Sequence, residues 1–273
     1  MAIDDRFRQL PRSLRERSEK TTLGSVPALV AVPDSDGPVP AVVWMHGRTV
    51  DKELDPGRYL RWLRAGIATI ALDLPGHGER EGEKLHDPSC TPRVLGEMLD
   101  ELDGVLDAAR ASDFAGPIDF DRLGIGGMSA GGMVTLRRLC DPHPFVCAAV
   151  ESTTGWLEEL YSPTLSNTAS WPVDHDPAVI ERIDAMRHLG GFRPIPLLAL
   201  HSEADQTVPW PGMRGFLDAL GDRYDAEDAD RSLIEVTTWP ETGAPYEHAG
   251  FGGVASKAKD IQTEFLVRHL LGG

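Results

Sequence analysis

Short apolar runs in regular alternation with longer amphipathic stretches set the main limit on what this chain can fold into. The apolar runs fall at residues 28–32, 41–46, 67–73, 122–128, 146–151, 197–201 and 233–238. Most are near-continuous rather than alternating, which suits strands covered on both faces. Helical patterns lie between them at residues 57–65, 92–112, 131–140, 211–220 and 254–271. In the second of these, Val94, Leu95, Met98, Leu99, Leu102, Val105, Leu106 and Ala109 recur at spacings of three and four, giving one buried stripe. Strand and helix in alternation predict an α/β fold: a mostly parallel sheet with helices on its faces.

The rhythm breaks between residues 155 and 196, where Trp156, Leu157, Leu160, Tyr161 and Trp171 sit among Ser, Thr, Pro and Asn. A structureless loop of that length is uncommon inside a compact domain, so short helices are expected there, one of them over 177–189. The segment reads either as a lid over a pocket or as a peripheral helical excursion. The length of 273 residues allows one domain or two. With 27 basic against 43 acidic residues the formal charge is −16, so the average field repels phosphate backbones and anionic membrane surfaces, and neither nucleic acid nor membrane is expected as a partner. Residues 1–20 hold no apolar core of a secretory signal, no run is long enough to span a bilayer, and the three cysteines (Cys90, Cys140, Cys147) suit reduced thiols. A cytoplasmic location is expected.

The chemistry centres on a strand that runs directly into a helix. Between them stands Gly127-Met128-Ser129-Ala130-Gly131. Glycines two positions before and after a serine relieve crowding in a sharp strand-to-helix turn, which pushes the hydroxyl out above the sheet. The adjoining helix N-terminus favours a developing oxyanion. A dinucleotide fingerprint fits worse, because Gly124-x-Gly126 would need its third glycine where Ser129 stands, and no Gly-Lys-Ser/Thr of a phosphate loop follows.

A serine hydroxyl needs a base, and the base an orienting acid. Of the nine histidines, His248 is the distinctive one, in a loop between the last predicted strand and the last helix. The loop after the preceding strand offers Asp205, with Glu203 as its rival. Parallel strands place the loops of Ser129, Asp205 and His248 along one sheet edge.

With these residues in view, the chain resembles the alpha/beta-hydrolase superfamily from about Gly24 onward. His46-Gly47-Arg48 resembles the oxyanion turn, residues 73–78 (Asp-Leu-Pro-Gly-His-Gly) the turn after the fourth strand, Gly127 to Gly131 the nucleophile elbow, and residues 201–209 the acid loop. Within the superfamily it is most similar to compact esterases and to dienelactone-hydrolase-like or prolyl-oligopeptidase-like catalytic domains. The resemblance implies an alpha/beta-hydrolase fold with a mostly parallel sheet of about eight strands, and one domain over 1–273 with 155–196 as a cap within it. It also implies a serine hydrolase for small-molecule carboxylic esters that uses no cofactor or metal. Ser129 would be nucleophile, His248 base and Asp205 orienting acid, with the backbone amides of Ala130 and Arg48 as the oxyanion hole. Trp156, Leu160, Tyr161 and Trp171, with Trp44 beside them, either line the pocket or pack beneath the loop. A peptidase or acyl-aminoacyl hydrolase with the same triad, and a ligand-binding member without catalysis, are the rival readings. Ser202 stands where many relatives carry glycine, and Arg48 either faces the pocket or pairs with a surface acid.

Overall fold

The computed structural model describes residues 9–80, 82–165 and 171–272. Eight strands form one sheet: β1 (Ser18–Leu23), β2 (Val26–Ala31), β3 (Val39–Met45), β4 (Ala68–Leu72), β5 (Ile118–Met128), β6 (Cys147–Glu151), β7 (Leu197–Ser202) and β8 (Ile234–Trp239). Their spatial order is β1-β2-β4-β3-β5-β6-β7-β8. From β4 to β8 every neighbouring pair is parallel, while β2 runs antiparallel to both β1 and β4.

Side chains that alternate along each strand feed two cores. On β3, Ala41, Val43 and Met45 enter the core shared with the helices Thr91–Arg110 (α3), Ala130–Arg138 (α4) and Trp210–Ala226 (α7). Val42 and Trp44 point the other way, into the core of Arg12–Arg15 (α1), Pro56–Arg64 (α2) and Ala255–Leu270 (α8). All seven residues of β3 are buried, which is why its sequence reads as an unbroken apolar run. Among the described residues of the irregular segment stand two short helices, Leu157–Tyr161 (α5) and Pro177–Ile183 (α6).

Seven strands match the apolar runs, and β1 does not. It pairs on one side only, and Leu23 is its single buried residue, so a charged sequence hides an edge strand. Two helices also differ from expectation. The one expected over 211–220 continues to Ala226 because Tyr224, fully buried, anchors the extra turn by donating from its hydroxyl to the Ile195 carbonyl. The one expected over 177–189 stops at Ile183, where the Asp184 carboxylate accepts from the Met186 amide and starts a 3₁₀ turn over Ala185–Gly191. Among the described residues no helix is long and apolar enough to cross a membrane.

Candidate active site

Because β3 and β5 to β8 are parallel, the loops that leave their C-terminal ends share one edge of the sheet, and these loops carry the expected site. Ser129 lies between β5 and α4 at φ 53°, ψ −118°, outside the regions that L-residues ordinarily occupy. Such a conformation costs on the order of 1–3 kcal/mol and persists only where its surroundings enforce it. Here they do. The Ser129 amide donates to the Glu151 carbonyl at 2.9 Å, and its own carbonyl accepts from the Thr153 hydroxyl at 2.7 Å. Neither flanking glycine has room for a side chain: a Cβ on Gly127 would lie 2.4 Å from the Gly131 carbonyl carbon, and one on Gly131 would lie 2.2 Å from the Met45 carbonyl oxygen.

Three side chains from three loops form a chain of hydrogen bonds. The Ser129 hydroxyl lies 3.0 Å from His248 Nε2, and His248 Nδ1 lies 2.8 Å from Asp205 Oδ2. The Asp205 side chain is fully excluded from solvent. Burying a carboxylate costs several kcal/mol unless donors replace its water, and its other oxygen accepts from the Thr207 and Val208 amides, both at 2.8 Å. Glu203 points elsewhere: exposed, it accepts from the Thr238 hydroxyl at 2.7 Å.

The loop that carries His248 includes two consecutive non-glycine residues at positive φ, Tyr246 and Glu247. Glu247 holds that shape. Its carboxylate accepts from the Ser202 hydroxyl at 2.9 Å, from the Thr242 amide and hydroxyl at 2.6 and 2.7 Å, and from the Gly243 amide at 2.7 Å. These donors, the Thr242 hydroxyl foremost, hold its pKa down to about 2. Ser202 thus ties the loop of Asp205 to the loop of His248.

The turn 46–48 passes beside Ser129, since a Cβ on Gly47 would lie 3.4 Å from Ser129 Cβ. His46 fixes this turn. It donates from Nδ1 to the Gly47 carbonyl at 2.6 Å and accepts the Leu74 amide at Nε2 at 3.1 Å. Burial pushes its pKa down to about 4, so it is neutral at pH 7 and serves as scaffold. His77 is likewise neutral, its pKa lowered to about 4 mainly by burial, and it donates to the Pro75 carbonyl at 2.8 Å. Ala130, next to Ser129, opens α4, where an amide has no intrahelical acceptor.

A cavity of about 640 Å³ opens over Ser129 and His248, within the range of small-molecule sites. Trp44, Met128, Met133, Leu160, Trp171, Val208 and Phe251 give it apolar walls. Two residues expected there are elsewhere. Trp156 packs on α7, its ring 2.9 Å from where a Cβ on Gly215 would stand. Tyr161 turns toward a second cavity, its ring centroid 4.6 Å from His175 and 5.4 Å from Trp171. Both lie within or beside the single turn of α5, and so short a helix leaves its facing undetermined by spacing. Residues 166–170 of the expected lid lie outside the described residues. Sequence reasoning missed Met128, Met133, Val208 and Phe251. Met128 and Val208 lie next to recognised motifs, so adjacency was the available signal; Met133, one turn along α4, follows from helical spacing.

Residues 58–260, which include Ser129, Asp205 and His248, match the model of the prolyl oligopeptidase family. The chain belongs to that family. Membership in the prolyl oligopeptidase family makes it a member of a serine hydrolase family. Its similarity to the Escherichia coli K12 protein Esterase YjfP is 28% identity over 201 residues, covering 70% of this chain and 79% of that one. Among solved structures, TT1662 from Thermus thermophilus superposes with a TM-score of 0.70 at 22% identity, covering 94% of this chain and 99% of that one. Acylaminoacyl peptidase from Pyrococcus horikoshii gives a TM-score of 0.70 at 17% identity, covering 90% of this chain and 39% of that one. At such identities the likeness is one of fold, the alpha/beta-hydrolase fold that the sequence resembles.

Proposed function

We propose that the protein hydrolyses carboxylic esters of small molecules through an acyl-enzyme on Ser129. The observation that carries this reading is the hydrogen-bonded chain from Ser129 through His248 to Asp205, set on a strained elbow at a largely apolar cavity. His248 Nε2 takes the hydroxyl proton as Ser129 Oγ bonds to the ester carbonyl carbon. Asp205 holds the imidazole with its Nδ1 proton facing the carboxylate and stabilises the imidazolium. The carbonyl oxygen becomes an oxyanion, met by the amides of Ala130 and Arg48. When the tetrahedral intermediate collapses, the alcohol leaves with the proton carried by His248. Water then repeats the sequence on the acyl-enzyme and releases the acid.

The same groups can attack an amide, and the fold likeness to an acylaminoacyl peptidase gives that reading its support. The name of Esterase YjfP, alignable over most of both chains, favours the ester. The 4-nitrophenyl ester and the 4-nitroanilide of N-acetylalanine separate the two. The ester reading expects turnover of the first and none of the second above background. Comparable specificity constants would transfer the protein to the peptidases.

A further inference from the structure

Among the described residues three cations line the cavity: Arg48, Arg58 and Lys259. Two are already neutralised. The buried Arg58 guanidinium is held by both oxygens of Glu151 at 2.6 and 2.7 Å and by Asp55 at 3.0 and 3.1 Å, and Lys259 pairs with Asp55 at 3.0 Å. Arg48 stands apart. Its Nη1 donates to the Thr91 hydroxyl at 2.9 Å and its Nη2 to the His86 carbonyl, and both acceptors are neutral. Its Nε–H has no acceptor, and among the described residues it forms no ion pair. A guanidinium stays charged under all ordinary conditions, so this half-buried residue brings to the cavity wall a charge without a direct ion pair. Burial pulls its pKa down, and the exposed Asp87 carboxylate nearby, which forms no ion pair with it, offsets this only in part.

We propose that Arg48 recognises a carboxylate on the substrate, so that the preferred esters carry a second, anionic group. This rests on the ester-hydrolase reading of the same site and adds its substrate class. Arg48 follows Gly47, where an added Cβ would stand 3.4 Å from Ser129 Cβ, and Arg48 and Ser129 line the same cavity. Thr91 and His86 hold it in place beforehand, which reduces the ordering cost of binding. One cation without a direct ion pair matches one carboxylate. A phosphate dianion would need further positive charge, and the other cavity-lining cations are committed to Glu151 and Asp55. The net charge of −16 sharpens the selection, because anions are repelled everywhere except where a local cation reverses the field.

The test is a ratio of specificity constants in two matched pairs. The acyl-side pair is the mono-4-nitrophenyl ester of hexanedioic acid against 4-nitrophenyl hexanoate; the alcohol-side pair is 4-acetoxybenzoate against its methyl ester. A charge-assisted contact predicts that the wild-type protein favours the carboxylate in one pair by roughly 10- to 100-fold. In Arg48→Gln that ratio falls to near one, and Arg48→Lys keeps part of it. The ratio divides out any effect of substitution on the backbone of the oxyanion turn. Added salt should erode the wild-type preference, a readout that needs no variant. The proposal is overturned if the wild-type protein shows no carboxylate preference in either pair, or if the preference survives unchanged in Arg48→Gln. Turnover of 4-nitrophenyl hexanoate that Ser129→Ala removes upholds the ester-hydrolase reading whatever the ratio, whereas no turnover of any of the four esters brings down both.

Discussion

Ser129→Ala is expected to lower kcat on 4-nitrophenyl esters by about 10⁶-fold, the scale seen when a triad nucleophile is removed, and to leave the fold intact. The side chain contributes one hydrogen bond, to His248 Nε2, while the strained elbow is held by its backbone contacts to Glu151 and Thr153, which alanine keeps. The melting temperature should therefore shift by no more than about 2–4 °C, the equivalent of roughly 1 kcal/mol in a chain of this size. Steady-state kinetics beside a thermal melt measures both. Loss of activity with loss of the fold would make Ser129 a structural residue, and retained activity would move the nucleophile elsewhere.

Asp205→Asn has the next largest effect, about 10⁴-fold in kcat. The reason lies in the donors around the carboxylate. One oxygen accepts two backbone amides and the other accepts the His248 Nδ1 proton, so all neighbours are donors. Asparagine offers one acceptor oxygen and an NH₂ group. If the oxygen stays on the Thr207 and Val208 amides, the NH₂ faces His248 Nδ1 and makes that nitrogen the acceptor. The imidazole proton then moves to Nε2, which can no longer take the proton of Ser129. A pH–rate profile together with kcat checks this, and Glu203→Gln serves as the contrast, with little change expected for an exposed residue bonded to Thr238. If Glu203→Gln and not Asp205→Asn carried the loss, the acid would be Glu203.

What the sequence made readable follows from where physical constraint is local. The elbow was legible because glycine is the only residue that fits at 127 and 131, and the interior strands because burial on both faces removes polar residues from them. Asp205 and His248 were legible as loop residues in the right order, although only the fold shows them within 2.8 Å. Edge strand β1 was hidden by its exposed face. The directions of Trp156 and Tyr161 were hidden because each is decided by a partner distant in sequence or by a neighbouring ring: Gly215 for the first, His175 and Trp171 for the second. The role of Glu247 was hidden for a similar reason, since it depends on Ser202, 45 residues earlier. Arg48 was legible only as an open choice between pocket and surface acid, because its bonds run to Thr91 on the cavity wall and to the His86 carbonyl, 43 and 38 residues later in the chain.

An activated nucleophile at Ser129 is open to covalent capture by an electrophilic phosphonate. Incubation of the native protein with a fluorophosphonate, followed by peptide mass spectrometry, should place one phosphonyl adduct on Ser129, with ester hydrolysis lost in proportion to labelling. The Ser129→Ala protein should remain unlabelled. An adduct on another residue, or a native protein that hydrolyses esters without being labelled at Ser129, would mean that Ser129 is not the nucleophile.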